Sequence, residues 1–198
     1  MVAWMSDTSP LTIPSSAVQA RIQPDVRTFL NSRNDGARQA ALSSLEATYD
    51  ATFGKGSGPR NRISLFLYSG PVDHRFKLQS ILSSHPVGLH EETTRFSQMY
   101  TGDARLKTKR EWKDFEQFFQ PGKRLANSAI LQIMHHGSKA NWQSGIASAL
   151  IPAASLFCSD PGNRPYHPHA EVLREFWPHF PVQVDTRTGF HLRAQLYL

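Results

Sequence analysis

The chain has 198 residues, with 22 lysines and arginines against 16 aspartates and glutamates, a formal net charge of +6. Hydrophobic residues make up 39% and charged residues 19%, which supplies a packed core and argues against wholesale disorder. No run of about 18 apolar residues would cross a membrane, the opening residues lack the pattern of a signal peptide, and a single cysteine, Cys158, excludes an internal disulfide and a cysteine-based zinc finger. The expected compartment is the cytoplasm. The positive charges are spread along the chain, so an anionic partner is permitted and not required.

Residues 1–33, punctuated by Pro10, Pro14 and Pro24, predict an extended lead-in with one short strand at 17–22. Ala41, Leu42, Leu45 and Tyr49 recur at helical spacing and predict a helix over 36–52. Gly54-Lys55-Gly56-Ser57-Gly58-Pro59 ends that helix and is the best internal boundary. It divides an N-terminal extension with one helix (1–58) from a C-terminal unit (59–198). A lysine among glycines suggests phosphate binding, but the order of a P-loop is absent and no strand precedes it, so the stretch reads as a linker.

The pattern changes from Asn61 onward. A strand is expected at 63–68, then a polar, irregular segment with a short helix at 76–83, then a short strand at 98–100. Trp112, Phe115 and Phe119 share one face of a helix over 109–119. The continuous apolar run 129–134 suits a strand buried on both faces. A helix at 143–150, a strand at 153–158, a helix at 170–177 and strands at 182–185 and 189–196 complete the series. Strands alternating with helices predict an α/β fold. Polar residues collect after the predicted strands: Asp103, His135-His136, Ser159-Asp160 and Asp185. Open α/β sheets place ligands at those strand ends.

Nine histidines are the informative excess. One histidine in a polar loop is most simply a hydrogen-bonded structural residue. Two in succession, in His135-His136-Gly137-Ser138 at the end of an apolar strand, point in different directions, so one can ligate while the other shuttles protons. Thr101-Gly102-Asp103 places a carboxylate after the neighbouring strand. Asn163-Arg164-Pro165-Tyr166-His167-Pro168-His169 holds His167 and His169 in a proline-pinned loop; both read first as structural or supporting residues, with Pro168 and His169 also suiting helix initiation. Asp185-Thr186-Arg187-Thr188-Gly189 reads as a hairpin turn with Thr186 at the rim of a site.

Taken in order, Tyr100-Thr101-Gly102-Asp103-Ala104, His135-His136-Gly137-Ser138, Tyr166-His167-Pro168 and Thr186…Gly189 resemble a metallo-β-lactamase-fold hydrolase. The subgroup they look most like is the C-terminal domain of bacterial DNA-uptake channel proteins. The resemblance covers roughly residues 61–198. It implies half of a four-layer αββα sandwich, a mixed sheet flanked by helices. It also implies a two-metal centre of zinc or manganese that hydrolyses phosphodiesters or related esters, nucleic acid among them. Asp103 matches the carboxylate that bridges the metals. His135 or His136 matches a metal-site histidine; with His135 taken as the ligand, Asp103 and His136 are the catalytic pair. Ser138, His167 and Thr186 match positions that support the site or touch substrate.

One departure has consequences. The family's principal metal motif, His-x-His-x-Asp-His, is absent; His74, His85 and His90 are the only histidines in the first hundred residues, and none has that spacing. The remaining donors are too few for a tight catalytic zinc site, which takes three protein ligands and a water. Half of such a fold also exposes an apolar sheet face, which is an association site. Either residues 1–58 cover that face or another chain does; the expected partner is a second protein chain or a further copy of this one, supplying core and donors together. The competing reading is a non-catalytic interaction or regulatory module that retains half of the fold. Neither an aromatic-basic RNA signature nor a helix-turn-helix pattern is present.

Overall fold

The structure is a computed structural model that describes residues 2–6, 9–12, 16–53, 64–70, 75–91, 93–162 and 166–197. Two strands, β1 (Val2–Ser6) and β2 (Ser9–Thr12), precede helices α1 (Ser16–Asn31) and α2 (Asp35–Phe53). Then come β3 (Ser64–Ser69), β4 (Lys77–Ser83), β5 (Ser97–Tyr100), helix α3 (Lys109–Phe119) and the single-turn helix α4 (Arg124–Asn127). Strand β6 (Ser128–Gln132) leads into a tight turn, followed by α5 (Ile146–Leu150), β7 (Ala154–Cys158), α6 (Ala170–Phe176), β8 (Pro181–Val184) and β9 (Leu192–Tyr197).

The fold is α/β, with a mixed seven-stranded sheet in the order β2-β1-β3-β5-β6-β7-β8. The first three pairings run antiparallel, and β5, β6, β7 and β8 run parallel. Met99 lies opposite Leu131, Leu131 opposite Ser155, and Leu156 opposite Val182. The C-terminal ends of four successive strands therefore open on one edge, which gathers the turns that follow them.

Helices cover one face of the sheet. Phe115 and Phe119 of α3, Ile146 and Leu150 of α5, and Val172 and Phe176 of α6 bury against Phe66, Met99, Leu131 and Phe157. The Thr108 side chain accepts from Glu111 N, and the Glu111 carboxylate accepts from Thr108 N, so α3 starts with a reciprocal cap. On the other face, Ala129, Ile130, Ala154, Leu156 and Val182 pack with Leu78 of β4, and Leu192 of β9 lies against them. Strands β4 and β9 form a separate two-stranded antiparallel sheet. Strand β6 is thus buried on both faces by the chain's own residues, and the exposed apolar sheet face expected at that strand is not found: Ala129, Ile130 and Leu131 are all buried.

Four further expectations are corrected. Residues 16–31 are helical through Pro24, where an extended lead-in with a strand at 17–22 was expected; packing against α2 through a hairpin overrides the local proline signal. The described residues among the first 58 form two helices and two strands, and β1 joins the main sheet with Ala3 opposite Phe66, so the extension is continuous with the sheet of the C-terminal unit. Residues 77–83 form a strand where a short helix was expected, because Leu78 and Ile81 face the core from the ribbon with β9. Strands β8 and β9 are not a hairpin; they belong to different sheets. The glycine-rich stretch 54–59, Val72-Asp73-His74 and Asn163-Arg164-Pro165 lie outside the described residues.

Candidate functional site

The turn after β5 and the turn after β6 meet. Their backbones are stapled where His135 N donates to Gly102 O at 2.8 Å, and the Thr101 hydroxyl donates to Gln132 O at 2.7 Å. Gln132 reaches back through its side-chain oxygen to Gly102 N at 3.3 Å. The amide of Asn141, a buried residue, donates to Asp103 O and Ala104 O at 3.2 and 3.1 Å, which fixes the acidic turn from below.

This framework brings the Asp103 carboxylate within 3.7 Å of His136 Nε2. Nδ1 of the same ring is bonded to the carbonyl of Cys158, the last residue of β7. A carbonyl offers only lone pairs, so Nδ1 carries the proton and Nε2 is left facing the carboxylate. Both side chains remain partly open to solvent, at 39% for His136 and 46% for Asp103. The ring centre of His135 lies 5.7 Å from that of His136, and His167 lies 5.9 and 6.2 Å from the two. The Nδ1 atom of His135 is shielded from solvent and meets no hydrogen-bond partner among the described residues. Burial pushes the His135 imidazole below its ordinary value; Asp103 opposes that shift and His136 adds to it. His135 is accordingly held toward its neutral form.

A cavity of about 350 Å³ opens beside this cluster, lined by His136, His167, Cys158, Asp160, Val184 and Thr186. Ser159 and Asp185 complete its lining, which includes no lysine or arginine among the described residues. The Cys158 thiol is pushed up by burial, against a weak contact from Gln132, which disfavours the thiolate. The Asp185 carboxylate accepts from Arg187 N and Thr188 N at 2.7 Å and is pulled down by those bonds.

The structure thus brings together Asp103, His135, His136 and His167, and Thr186 lines the same cavity as His136 and His167. Ser138 is placed differently: it is buried, and its hydroxyl accepts from Ala140 N at 3.3 Å, so it shapes the turn rather than facing the cavity. The ring of His169 lies 5.0 Å from that of His167 and accepts from Lys139 N. Gln132 and Asn141 were not singled out in the sequence. Asn141 follows the histidine turn by a few residues, and its proximity was the only signal it offered.

A catalytic zinc site takes three protein donors. Asp103 and His136 supply two that face one another, and among the described residues no group of three histidine, cysteine, aspartate or glutamate side chains is arranged to hold an ion. The described donors alone therefore do not fit a resident metal. No protein-family model, curated protein or solved structure matched this chain.

Proposed function

We propose that this chain carries part of a hydrolytic centre for phosphodiesters or related esters, completed by a second chain that brings the missing donors for zinc or manganese. The observation that supports this reading is His136, tied at Nδ1 to a main-chain carbonyl and turned through Nε2 onto the carboxylate of a neighbouring strand. A ring held in that way leaves one nitrogen for proton transfer or for an ion, with its tautomer fixed. Asp103 places a carboxylate before that nitrogen, and burial holds His135 toward its neutral form beside it. The cavity accepts the substrate group next to the imidazoles, with Thr186 at its rim.

The charge balance favours a completed site over an autonomous one. A phosphodiester entering the cavity meets Asp160 and Asp185 and needs a cation that the described lining does not supply. A fold reading accompanies the proposal: the second half of a four-layer metallo-β-lactamase-like sandwich, supported by the order in which the acidic turn, the histidine turn and the Tyr166-His167-Pro168 segment follow the parallel strands. The shortage of donors favours a second reading, a non-catalytic interaction module on the same framework.

Hydrolysis of bis-p-nitrophenyl phosphate and bound zinc or manganese per chain separate the two readings. Both are to be measured on the chain alone and after co-purification with its partners from native cells. Under the hydrolase reading, Asp103→Asn and His136→Ala each lower turnover by about 100-fold or more with an unchanged circular-dichroism spectrum. Turnover that survives both substitutions removes the assignment, and the absence of metal and turnover from chain and complex alike leaves the interaction module.

A further inference from the structure

We infer that β9 is the edge through which two copies of this chain pair, antiparallel, around a two-fold axis. The inference is independent of the hydrolytic reading. Strand β9 belongs to a two-stranded sheet, is bonded along one edge to β4, and meets no second strand among the described residues. Its first residue, Leu192, is half-buried, and Arg193 to Tyr197 are all exposed.

Strand β9 contains no proline and no bulge, and its one charged residue, Arg193, is exposed and alternates away from the core-facing side. The one irregularity in the ribbon falls at Gln79, on β4. By contrast, β8, an edge of the main sheet, starts with Pro181.

The sequence of β9 points to a second copy as the occupant. Ala194 and Leu196 lie opposite Ile81 and Leu78 and so share the core-facing side, while Arg193, Gln195 and Tyr197 alternate to the other. A two-fold axis perpendicular to the sheet pairs residues of the same side, so the apolar side continues unbroken from one copy to the next. Centred on Gln195, the pairing sets Arg193 against Tyr197 of the other copy, Ala194 against Leu196, and Gln195 against itself. No like charges are opposed, the guanidinium meets an aromatic ring twice, and the two terminal amides complement one another. The result is a four-stranded sheet with one isologous interface.

Sedimentation velocity on the full chain over a wide concentration range tests this. A monomer–dimer equilibrium is expected. Gln195→Lys opposes two ammonium groups at the axis and is expected to raise the dimer dissociation constant about tenfold or more at low salt, with partial recovery as salt is added. Gln195→Cys is the second probe. Cα atoms directly opposite on antiparallel strands lie roughly 4.5–5.5 Å apart, within the span of a disulfide, so mild oxidation is expected to yield a covalent dimer that the wild-type chain, with Cys158 alone, does not form. Circular dichroism confirms the fold of each variant. A wild-type chain that stays monomeric throughout, a dimer indifferent to Gln195→Lys, or failure of Gln195→Cys to cross-link would each overturn the inference.

Discussion

Three consecutive residues of the histidine turn adopt the left-handed conformation: His135 at φ 43°, His136 at 58° and Gly137 at 83°. For the two histidines this costs roughly 1–2 kcal/mol each, and three backbone bonds hold it: His135 N to Gly102 O, Ser138 N to His135 O, and His169 N to Gly137 O. Gly137 has no latitude. A Cβ there would lie 2.7 Å from Pro168 Cβ and 3.0 Å from the Phe157 ring. Gly137→Ala is therefore expected to cost roughly 2–5 kcal/mol, the sum of left-handed strain and overpacking, read as a lowered urea midpoint. His136→Asn separates geometry from chemistry. Asparagine tolerates the left-handed region, so stability stays near wild type while any hydrolysis is lost; an unfolded variant would show that the imidazole itself holds the turn. The histidine pair and Asp103 were legible in the sequence because their residue types announce chemistry. The partner of His136 was not, since a main-chain carbonyl on another strand carries no residue signature.

Among the elements, α3 was the most legible. Its apolar residues recur at helical spacing, its cap pairs Thr108 with Glu111, and Phe115 and Phe119 are fully buried. Strand β4 was obscured because only Leu78 of its seven residues is fully buried and the bulge at Gln79 breaks its alternation. Helix α1 was obscured by Pro24. Helix α5 begins later than its sequence suggested, and its start is set from outside. One oxygen of Glu175, on α6, accepts from Gly145 N at 2.9 Å and Ala147 N at 3.0 Å, so a carboxylate from a distant element takes the place of a local cap. Glu175→Ala is expected to lose about 1–2 kcal/mol, with hydrogen exchange at Gly145 and Ala147 accelerated well beyond that of β6. Equal protection in the variant would mean that α5 holds itself.

For the whole molecule, the decisive pairing is the one the glycine-rich boundary hid. Strand β1 runs along β3 for four residues, from Val2 opposite Leu67 to Met5 opposite Ser64. Cutting the chain at residue 59 removes α1 and α2, which pack on one another with Ser44 bonded to Asp25 at 2.7 Å, but it also strips β3 of a neighbour. The main sheet then ends in a strand whose outward N–H and C=O groups are bare and whose Phe66 belongs to the buried core. The 59–198 chain is expected to associate beyond the dimer and to unfold at lower urea than the full chain, measured by light scattering after gel filtration and by a denaturant titration. This association differs from pairing through β9, because it runs through an edge of the main sheet and not through the β4–β9 ribbon, and it is insensitive to Gln195→Lys. A 59–198 chain that is no more associated than the full chain and has the same urea midpoint would show that the first two strands decorate a sheet already complete without them.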